Sequence, residues 1–361
     1  MKPPRELVLA LTVYVVLDLG AAGMLHSTPL WGPEAIERRY RVSHPLYHHD
    51  LAPGTDLVAT WGGIRYPLRT NSLGFRDATA RVVPLHGGTP RLLLIGDSFT
   101  EGLGVPFEET YAGVLGRRLA GCGIEVLNAG VMSYSPSIYY RKLAYWLEEA
   151  GLRADFVLVA LDLSDIGDEA GAYRLDADGR VVDRPAPTGL RVRSMLKERS
   201  LLFHVLDLAR DGLRGRVADP AHFADWTTDP AQFRAYGAEG LRIAAERMDQ
   251  LVALLRDRGA GIALTVYPYP AEVSARGGAK QEEFWREWAA ARSVPFFDLF
   301  PAFGGTSMPP EEAVRTYFLP HDVHWSAAGH RLVAETLIGE GLLDTLTANA
   351  ALRPLDPARC R

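Results

Sequence analysis

The 361-residue sequence is poor in cysteine, with only Cys122 and Cys360. Two distant cysteines do not form the clustered ligand pattern of a structural zinc site, so that class of site is excluded. The pair is compatible with two free thiols, or with one disulfide that ties the C-terminal tail to the rest of the chain. The sequence leaves this choice open.

An excess of positive charge is also lacking. Lysine and arginine total 39 against 44 acidic residues, which gives a formal net charge of −5. A nucleic-acid-binding protein needs a basic surface to meet the phosphates, so we expect no nucleic-acid partner. Internal repeats and low-complexity tracts are absent as well. With 47% hydrophobic residues, the chain can build a sizeable core as one large or two small domains.

Long apolar runs are lacking except at the start of the chain, where residues 7–24 contain Asp18 as their only charge. As a helix these residues would rise about 27 Å, close to the hydrocarbon thickness of about 30 Å. We therefore predict an N-terminal membrane segment over residues 1–26.

The charges before this segment indicate its orientation. Lys2 and Arg5 precede it, so the positive-inside rule keeps the N-terminus cytoplasmic and places the rest of the chain outside. Two alternatives stay open. Small residues at 19–23 are typical of a signal-peptide cleavage site, and Asp18 is compatible with a buried amphipathic helix.

The stretch from Arg91 to Gly102 contains the main candidate for chemistry. Four apolar residues at 92–95 predict a buried strand that Gly96 ends, and a helix follows from Tyr111. Ser98 therefore lies at the carboxyl end of a strand, where open parallel sheets bind their ligands. A serine in this position is more often a helix cap, and a nucleophilic serine needs a base, an orienting carboxylate and oxyanion donors.

The far end of the chain supplies a candidate base. Asp322 and His324 precede Ser326, which can cap a helix with apolar residues at helical spacing over 330–338. A carboxylate two positions from an imidazole can accept its Nδ1 proton and leave Nε2 free for a serine. The alternative is a polar turn before a capped helix.

Three short blocks together resemble the SGNH or GDSL-like hydrolase family. They are Gly-Asp-Ser at 96–98, Asn-Ala-Gly at 128–130, and the pair Asp322 and His324, and the resemblance covers roughly residues 91–346. The resemblance implies Ser98 as nucleophile, His324 as base and Asp322 as its orienter. It also implies the backbone N–H groups of Ser98 and Gly130 as oxyanion donors.

Two departures from the family pattern matter. The usual third block, Gly-x-Asn-Asp, is replaced by Asp162-Leu-Ser-Asp165, so the asparagine donor is missing. Ser164 is the candidate replacement through its hydroxyl, because an ionised carboxylate would repel an oxyanion. The last block has an Asp-x-His-Trp form, which resembles the branch that contains alginate O-acetyltransferases and related polysaccharide-modifying proteins.

The alternation of strands and helices along the rest of the sequence predicts an α/β fold. Apolar strands at 156–161, 261–267 and 294–299 alternate with helices at 236–258 and 281–291. We expect a three-layer sandwich with a central parallel sheet of about five strands flanked by helices, flavodoxin-like in arrangement.

The expected domains are a membrane segment at 1–26, an N-terminal extension at 27–90, a hydrolase domain at 91–346 and a tail at 347–361. The polar insertion at 168–230 is interpreted as a lid or partner surface over the strand ends.

The extension at 27–90 carries two further features. Histidines lie at 44, 48 and 49, but the adjacent His48 and His49 lack the helical i, i+4 spacing of metal ligands and no cysteine is near. We therefore predict no metal, and the sequence indicates no cofactor. Residues 60–76 read as a hairpin and an extended segment. This part resembles the region upstream of Gly-Asp-Ser in membrane-linked family members, where it would pack on the sheet edge with Arg76 near the site.

The sequence thus predicts a single-pass, extracytoplasmic serine ester hydrolase or O-acyltransferase. Its expected substrates are acyl esters, acetyl esters in particular, of a polysaccharide or wall glycan. The alternative is an inactive glycan-binding or assembly component of the same fold. A membrane protein is a possible partner through residues 201–208.

Overall fold

The structure, a computed structural model, describes residues 4–25, 28, 31, 37–185, 188–213, 225–275, 279–305 and 308–349. The chain divides into two compact units. The first comprises Met1–Arg41 and Pro185–Asp219, and the second comprises Val42–Arg184 and Pro220–Arg361.

Strands in the described residues are short and belong to four sheets. They are β1 (Arg41–His44), β2 (His48–Leu51), β3 (Asp56–Trp61), β4 (Ile64–Arg69), β5 (Arg91–Gly96), β6 (Glu125–Asn128), β7 (Phe156–Leu161), β8 (Tyr173–Leu175), β9 (Val181–Asp183), β10 (Gly261–Val266) and β11 (Phe296–Asp298).

Helices alternate with the larger strands. They are α1 (Arg5–Leu25), α2 (Ser98–Glu101), α3 (Tyr111–Ala120), α4 (Pro136–Ala144), α5 (Leu163–Gly171), α6 (Thr188–Arg199), α7 (Leu201–Leu213), α8 (Asp225–Thr228), α9 (Pro230–Gln232), α10 (Ala238–Asp257), α11 (Pro270–Ala275), α12 (Ala279–Ala291), α13 (Phe300–Gly304), α14 (Pro310–Tyr317), α15 (Ala327–Gly339) and α16 (Leu342–Ala348). A 3₁₀ turn at Phe107–Glu109 and π turns at Tyr145–Glu149 and Phe233–Gly237 complete the set.

The central sheet of the second unit has five parallel strands in the order β11-β10-β7-β5-β6. All six residues of β5 and of β7 are buried, because helices cover both faces of a parallel sheet. The predicted α/β fold with about five parallel strands is confirmed. The strand order reverses beside β5, so the carboxyl end of β5 opens at the position where such folds bind ligands.

The extension before this sheet contains a β3–β4 hairpin closed by Gly62 and Gly63, whose φ angles are +53° and +83°. These angles suit a two-residue hairpin turn of type I′. The chain then lies along the sheet edge, where the Arg76 N–H donates to the Asn128 carbonyl of β6 (3.1 Å). The buried Arg76 guanidinium donates to backbone carbonyls just after α2, including that of Gly102, and so holds that turn.

Cys122 is disulfide-bonded, which decides between the two alternatives left open for it. Cys360 lies outside the described residues, as does most of the predicted tail at 347–361.

The first unit contains α1, α6 and α7. In the described residues, α1 is the helix long and apolar enough to cross a membrane, with 21 residues of which few are buried. Its Ala22 and Leu25 pack with Trp31 and with Leu201 at the start of α7.

Candidate active site

Ser98 occupies the first position of α2, immediately after β5. Gly96 is the last residue of the strand. A side chain does not fit there, because a Cβ would lie 2.1 Å from Thr100 Oγ1 and 2.7 Å from the Ala160 carbonyl oxygen. Asp97 caps the short helix by accepting a hydrogen bond from the Phe99 N–H (3.0 Å). The tight turn therefore presents Ser98 at the strand end, where its side chain is largely buried.

The structure brings Ser98, His324 and Asp322 together from opposite ends of the domain. Ser98 Oγ lies 2.8 Å from His324 Nε2, across 226 residues of sequence. His324 Nδ1 lies 2.5 Å from Asp322 Oδ1, which also accepts the His324 backbone N–H (3.0 Å). In this geometry Nδ1 donates to the carboxylate, so Nε2 is free to accept the serine proton.

The loop that carries Asp322 and His324 is fixed at both ends. The Leu319 N–H donates to the His324 carbonyl (2.8 Å), and Phe318 and Trp325 form an antiparallel bridge. Ser326 caps α15 by accepting the Gly329 N–H (3.2 Å), as its sequence position predicts. The rigid loop thereby aims the imidazole at the serine.

Trp61 is a member of the site that sequence reasoning missed. It lies at the tip of the β3–β4 hairpin, and its indole Nε1–H donates to Asp322 Oδ2 (2.7 Å). Its ring also meets the His324 ring edge-on at 5.1 Å between centroids. The sequence predicts a hairpin at the Trp-Gly-Gly turn, but no local pattern indicates that Trp61 reaches Asp322, 261 residues away.

The environment of Asp322 favours its ionised form. Burial by itself would raise the pKa of this carboxyl, but hydrogen bonds from His324 and from the Trp61 indole outweigh it and hold the pKa below the ordinary value. An ionised Asp322 can stabilise the imidazolium that forms when His324 takes a proton.

Aromatic rings restrict the His324 imidazole on its other sides. Phe99 lies 4.9 Å from His324 between ring centroids and also contacts Trp325 at 4.8 Å. Tyr267 packs against both Phe99 and Trp325. These buried rings exclude water and limit the space beside Ser98.

Ser98 Oγ has a second polar neighbour, Asp97 Oδ2, at 2.9 Å. Burial first, and then the nearby Asp162 carboxyl, raise the pKa of Asp97 well above its ordinary value. In this structure the Ser98 hydroxyl donates to Asp97 Oδ2.

Asp97 belongs to a buried carboxyl cluster with Asp162 and Asp165, whose nearest oxygens all lie within 4.8 Å of one another. Three such groups could hold a metal ion. The hydroxyls of Tyr269 and Tyr139 instead donate to Asp162 and Asp165, each at 2.7 Å.

Backbone N–H groups also donate to carboxylate oxygens of this cluster. Asp162 and Asp165 exchange two such bonds as the capping box of α5. Burial and the charge of Asp162 raise the pKa of Asp165. Within the cluster, Asp97 and Asp165 are therefore the carboxyls whose pKa lies above the ordinary value.

Two of the three predicted oxyanion donors, Gly130 and Ser164, donate hydrogen bonds to acceptors within the protein. The Gly130 N–H donates to Asn128 Oδ1 (3.1 Å), and Ser164 Oγ donates to Asp162 Oδ1 (2.8 Å). The loop that holds Gly130 packs directly on α2, since a Cβ at 130 would lie 2.4 Å from Thr100 Cγ2 and 3.1 Å from the Glu101 nitrogen. Gly130 is thus beside α2, the helix that begins with Ser98, while the Ser164 hydroxyl donates to the carboxyl cluster.

Comparison with known protein families places these residues in a wider context. The family described as GDSL-like Lipase/Acylhydrolase matches residues 94–332, more than half of the chain. The matched region includes the three blocks that carry Ser98, Gly130 and His324. No match was found among curated proteins.

Solved structures that are similar to this chain are distant in sequence. The TesA crystal structure is 16% identical, with a TM-score of 0.40, and the match covers 71% of this chain and 98% of that one. Axe2, an acetylxylan esterase from Geobacillus stearothermophilus, is 18% identical with a TM-score of 0.39 over 72% and 96% of the two chains. The psychrotrophic esterase EstA from Pseudoalteromonas sp. is 14% identical with a TM-score of 0.39 over 70% and 98%.

Proposed function

Because the chain belongs to the GDSL-like lipase/acylhydrolase family, we propose that it cleaves acyl esters with Ser98 as nucleophile, His324 as base and Asp322 as its orienting carboxylate. The observation that carries this proposal is the 2.8 Å contact between Ser98 Oγ and His324 Nε2. A serine hydroxyl is a weak nucleophile until a base takes its proton, and this contact supplies the base.

The reaction follows from these contacts. Ser98 Oγ attacks the acyl carbon as its proton passes to His324 Nε2, and the ester carbonyl oxygen becomes an oxyanion. The C–O bond to the alcohol then breaks, and His324 returns the proton to the leaving oxygen. Water or an acceptor hydroxyl attacks the acyl-serine in the same manner, and Ser98 regains its proton.

The oxyanion would be bound by the N–H groups of Ser98 and Gly130, with Ser164 as a third donor. Gly130 would redirect its N–H from Asn128 Oδ1, and Ser164 would rotate its hydroxyl away from Asp162. Hydrogen bonds in an unliganded site often tighten only in the reacting complex, so these rotations are compatible with the role.

The proposed substrate is a small acyl ester, an acetyl ester in particular, on a polysaccharide or wall glycan, with hydrolysis or O-acyl transfer as the outcome. The small acyl group is supported by the aromatic side chains Phe99 and Trp325 around the triad and by the 7% exposure of Ser98. The glycan and the transferase option rest on the Asp-x-His-Trp form at Asp322.

The proposed location is the outer side of a cell membrane, with α1 as a single-pass anchor. The length and apolar composition of α1 support the anchor. The disulfide at Cys122 supports an extracytoplasmic domain, because disulfides persist in oxidising compartments and are rare in the cytosol.

A second candidate function is an inactive glycan-binding or assembly component. The engaged Gly130 N–H and Ser164 hydroxyl favour it, since two of the three predicted donors have acceptors within the protein.

One experiment separates the two candidates. The full-length protein, purified in detergent, is treated with a fluorophosphonate probe, and p-nitrophenyl acetate hydrolysis is measured beside Ser98→Ala and the exposed-serine control Ser43→Ala. We expect the probe on Ser98 alone, and turnover that is lost in Ser98→Ala and retained in Ser43→Ala. An unlabelled Ser98 together with no turnover in any of the three proteins would instead support the binding component.

A second assay then separates hydrolysis from transfer. Product analysis with an unacetylated oligosaccharide present detects acetyl groups on the sugar when the acyl-serine is attacked by a sugar hydroxyl. Release of acetate alone, whatever the oligosaccharide concentration, identifies a hydrolase.

A further inference from the structure

Helix α7 has an unusually apolar outer surface. Leu202, Phe203, Val205, Leu206 and Leu208 are each between 41% and 55% exposed. We call these five residues the α7 apolar face. Large exposed apolar surfaces mark contact with another molecule or a membrane.

The side of α7 that carries Leu201 and His204 packs within the first unit. His204 is buried and stacks on Trp31 at 4.0 Å between ring centroids. Leu201 packs with Ala22 and Leu25 of α1. Because these inner contacts already fix α7, the α7 apolar face is left for a partner outside the unit.

Asp18, the single charge of the apolar run in α1, has its partner at the start of α7. Its Oδ1 accepts the Leu202 N–H (2.8 Å). The first N–H groups of a helix have no partner within the helix, and its N-terminus favours negative charge. This bond explains how a charge can be tolerated in a membrane segment, where an unsatisfied carboxylate is costly.

The same bond fixes the position along α1 at which α7 begins. Asp18 lies seven residues before Leu25, where α1 ends, which corresponds to about 10 Å of helix rise. Helix α7 has 13 residues and would extend about 20 Å, too short for a hydrocarbon core of about 30 Å. If α1 crosses the membrane, α7 begins within the outer boundary of the bilayer and cannot cross it.

Positive side chains accompany the apolar face. Arg193 and Lys197 of α6 and Arg210 of α7 all lie within 4.0 Å of the Asp207 carboxylate, at 2.6, 3.8 and 3.8 Å. Long basic side chains such as these can reach lipid phosphates while their stems contact apolar surface.

From these contacts we infer that α6 and α7 lie in the outer interface of the bilayer beside α1. The α7 apolar face contacts lipid acyl chains, and Arg193, Lys197 and Arg210 contact anionic lipid headgroups. This inference rests on the proposed membrane location of α1. The start of α7 contacts α1 directly, through the Asp18–Leu202 hydrogen bond and the packing of Leu201 on Ala22 and Leu25. Because these contacts place α7 next to the apolar surface of α1, they favour lipid over a protein partner.

The test uses the full-length protein in vesicles of phosphatidylcholine and phosphatidylglycerol. Single cysteines for an environment-sensitive fluorophore are introduced by Leu206→Cys on the α7 apolar face and Val13→Cys on α1. Val82→Cys, at a residue of the second unit that is 81% exposed, is the control. Leu208→Cys is an independent second probe of α7, so that one poorly folded variant does not decide the outcome.

We expect blue-shifted emission at positions 206, 208 and 13, and quenching by lipids that carry nitroxides on their acyl chains. Position 206 should be quenched at least twofold more by a shallow nitroxide than by a deep one, and position 13 should show the reverse. Position 82 should be unaffected.

The alternatives give different patterns. Quenching at 13 with none at 206 and 208 and no blue shift there would overturn the inference while the anchor stands. Blue-shifted emission at 206 and 208 without lipid quenching would show that protein covers the face, which also overturns it. Absence of quenching at all positions would refute the membrane location itself.

Discussion

The Trp61 indole donates a hydrogen bond to the Asp322 carboxylate at 2.7 Å, and the two residues are 261 positions apart. The bond joins the tip of the N-terminal extension hairpin to the carboxylate of the candidate triad. Asp322 therefore has one oxygen on His324 and the other on Trp61. The extension is part of the site and would position its acid for catalysis.

Replacing Trp61 tests this positioning role. Trp61→Phe keeps an aromatic ring but removes the donor, so the Asp322 carboxylate loses a hydrogen bond that lowers its pKa. We expect kcat to fall about 10-fold, the equivalent of about 1.4 kcal/mol, with KM little changed. The acidic limb of the kcat profile should also move to higher pH.

The matched control for this substitution is Trp288→Phe. The Trp288 indole donates to Asp249 (2.9 Å) on a different part of the second unit. Its loss should leave the pH profile unchanged. Equal changes in both variants would mean that Trp61 has only a general structural role.

Asp322→Asn should leave the fold intact and remove most of the activity. An amide cannot accept the Nδ1 proton of His324 in the same way, so the imidazole would adopt the wrong tautomer for taking the Ser98 proton. We expect kcat to fall about 10⁴-fold, with a melting temperature within a few degrees of the parent. Turnover close to that of the parent would refute the role of Asp322.

Gly130→Ala tests how closely the loop after β6 must pack on α2. The new Cβ would lie 2.4 Å from Thr100 Cγ2, so one of the two segments must shift. We expect a loss of about 2 kcal/mol in the free energy of unfolding, as for other overpacked sites, and lower turnover. Urea unfolding measures the first quantity and ester hydrolysis the second.

Gly116→Ala in α3 serves as the comparison, because the nearest atom to its Cβ would be Val126 Cβ at 3.8 Å. It should be neutral or slightly stabilising, as alanine is favoured in helices. An equally mild effect at 130 would show that the loop can move away from α2.

Glu272 should make the stability of the second unit depend on pH. Burial raises the pKa of this carboxyl to about 8. Between its ordinary value and about 8, the folded state keeps a proton that the unfolded state releases. The free energy of unfolding therefore falls as pH rises through this window, by at most about 1.4 kcal/mol per pH unit from this group.

Glu272→Gln should remove that contribution. Relative to the parent, the variant should gain stability steadily between pH 5 and pH 8, as measured by urea unfolding. The exposed-residue control Glu287→Gln should track the parent at every pH. A constant difference between Glu272→Gln and the parent across this range would contradict the raised pKa.

Local patterns in the sequence were sufficient for the sheet and for the candidate triad. Apolar runs such as residues 92–95 predict buried strands because only strands covered on both faces lack polar alternation. Gly-Asp-Ser at 96–98 and the pair Asp322 and His324 are short blocks whose residue types are tied to their chemistry. Each block alone also fits a helix cap or a polar turn, but together they resemble a known family, and that resemblance indicated Ser98 and His324.

Tertiary structure alone decided which distant groups meet. Trp61 reaches Asp322, Ser98 meets His324 across 226 residues, and Asp18 caps α7 across 184 residues. It also divided the predicted insertion at 168–230 between the two units. Residues 185–219, which contain α6 and α7, belong to the first unit with α1, and the rest belongs to the second unit. The sequence alone determines where strands, helices and reactive residue types occur, because these depend on neighbouring residues. Long-range hydrogen bonds depend on how whole elements pack, and no local pattern encodes that packing.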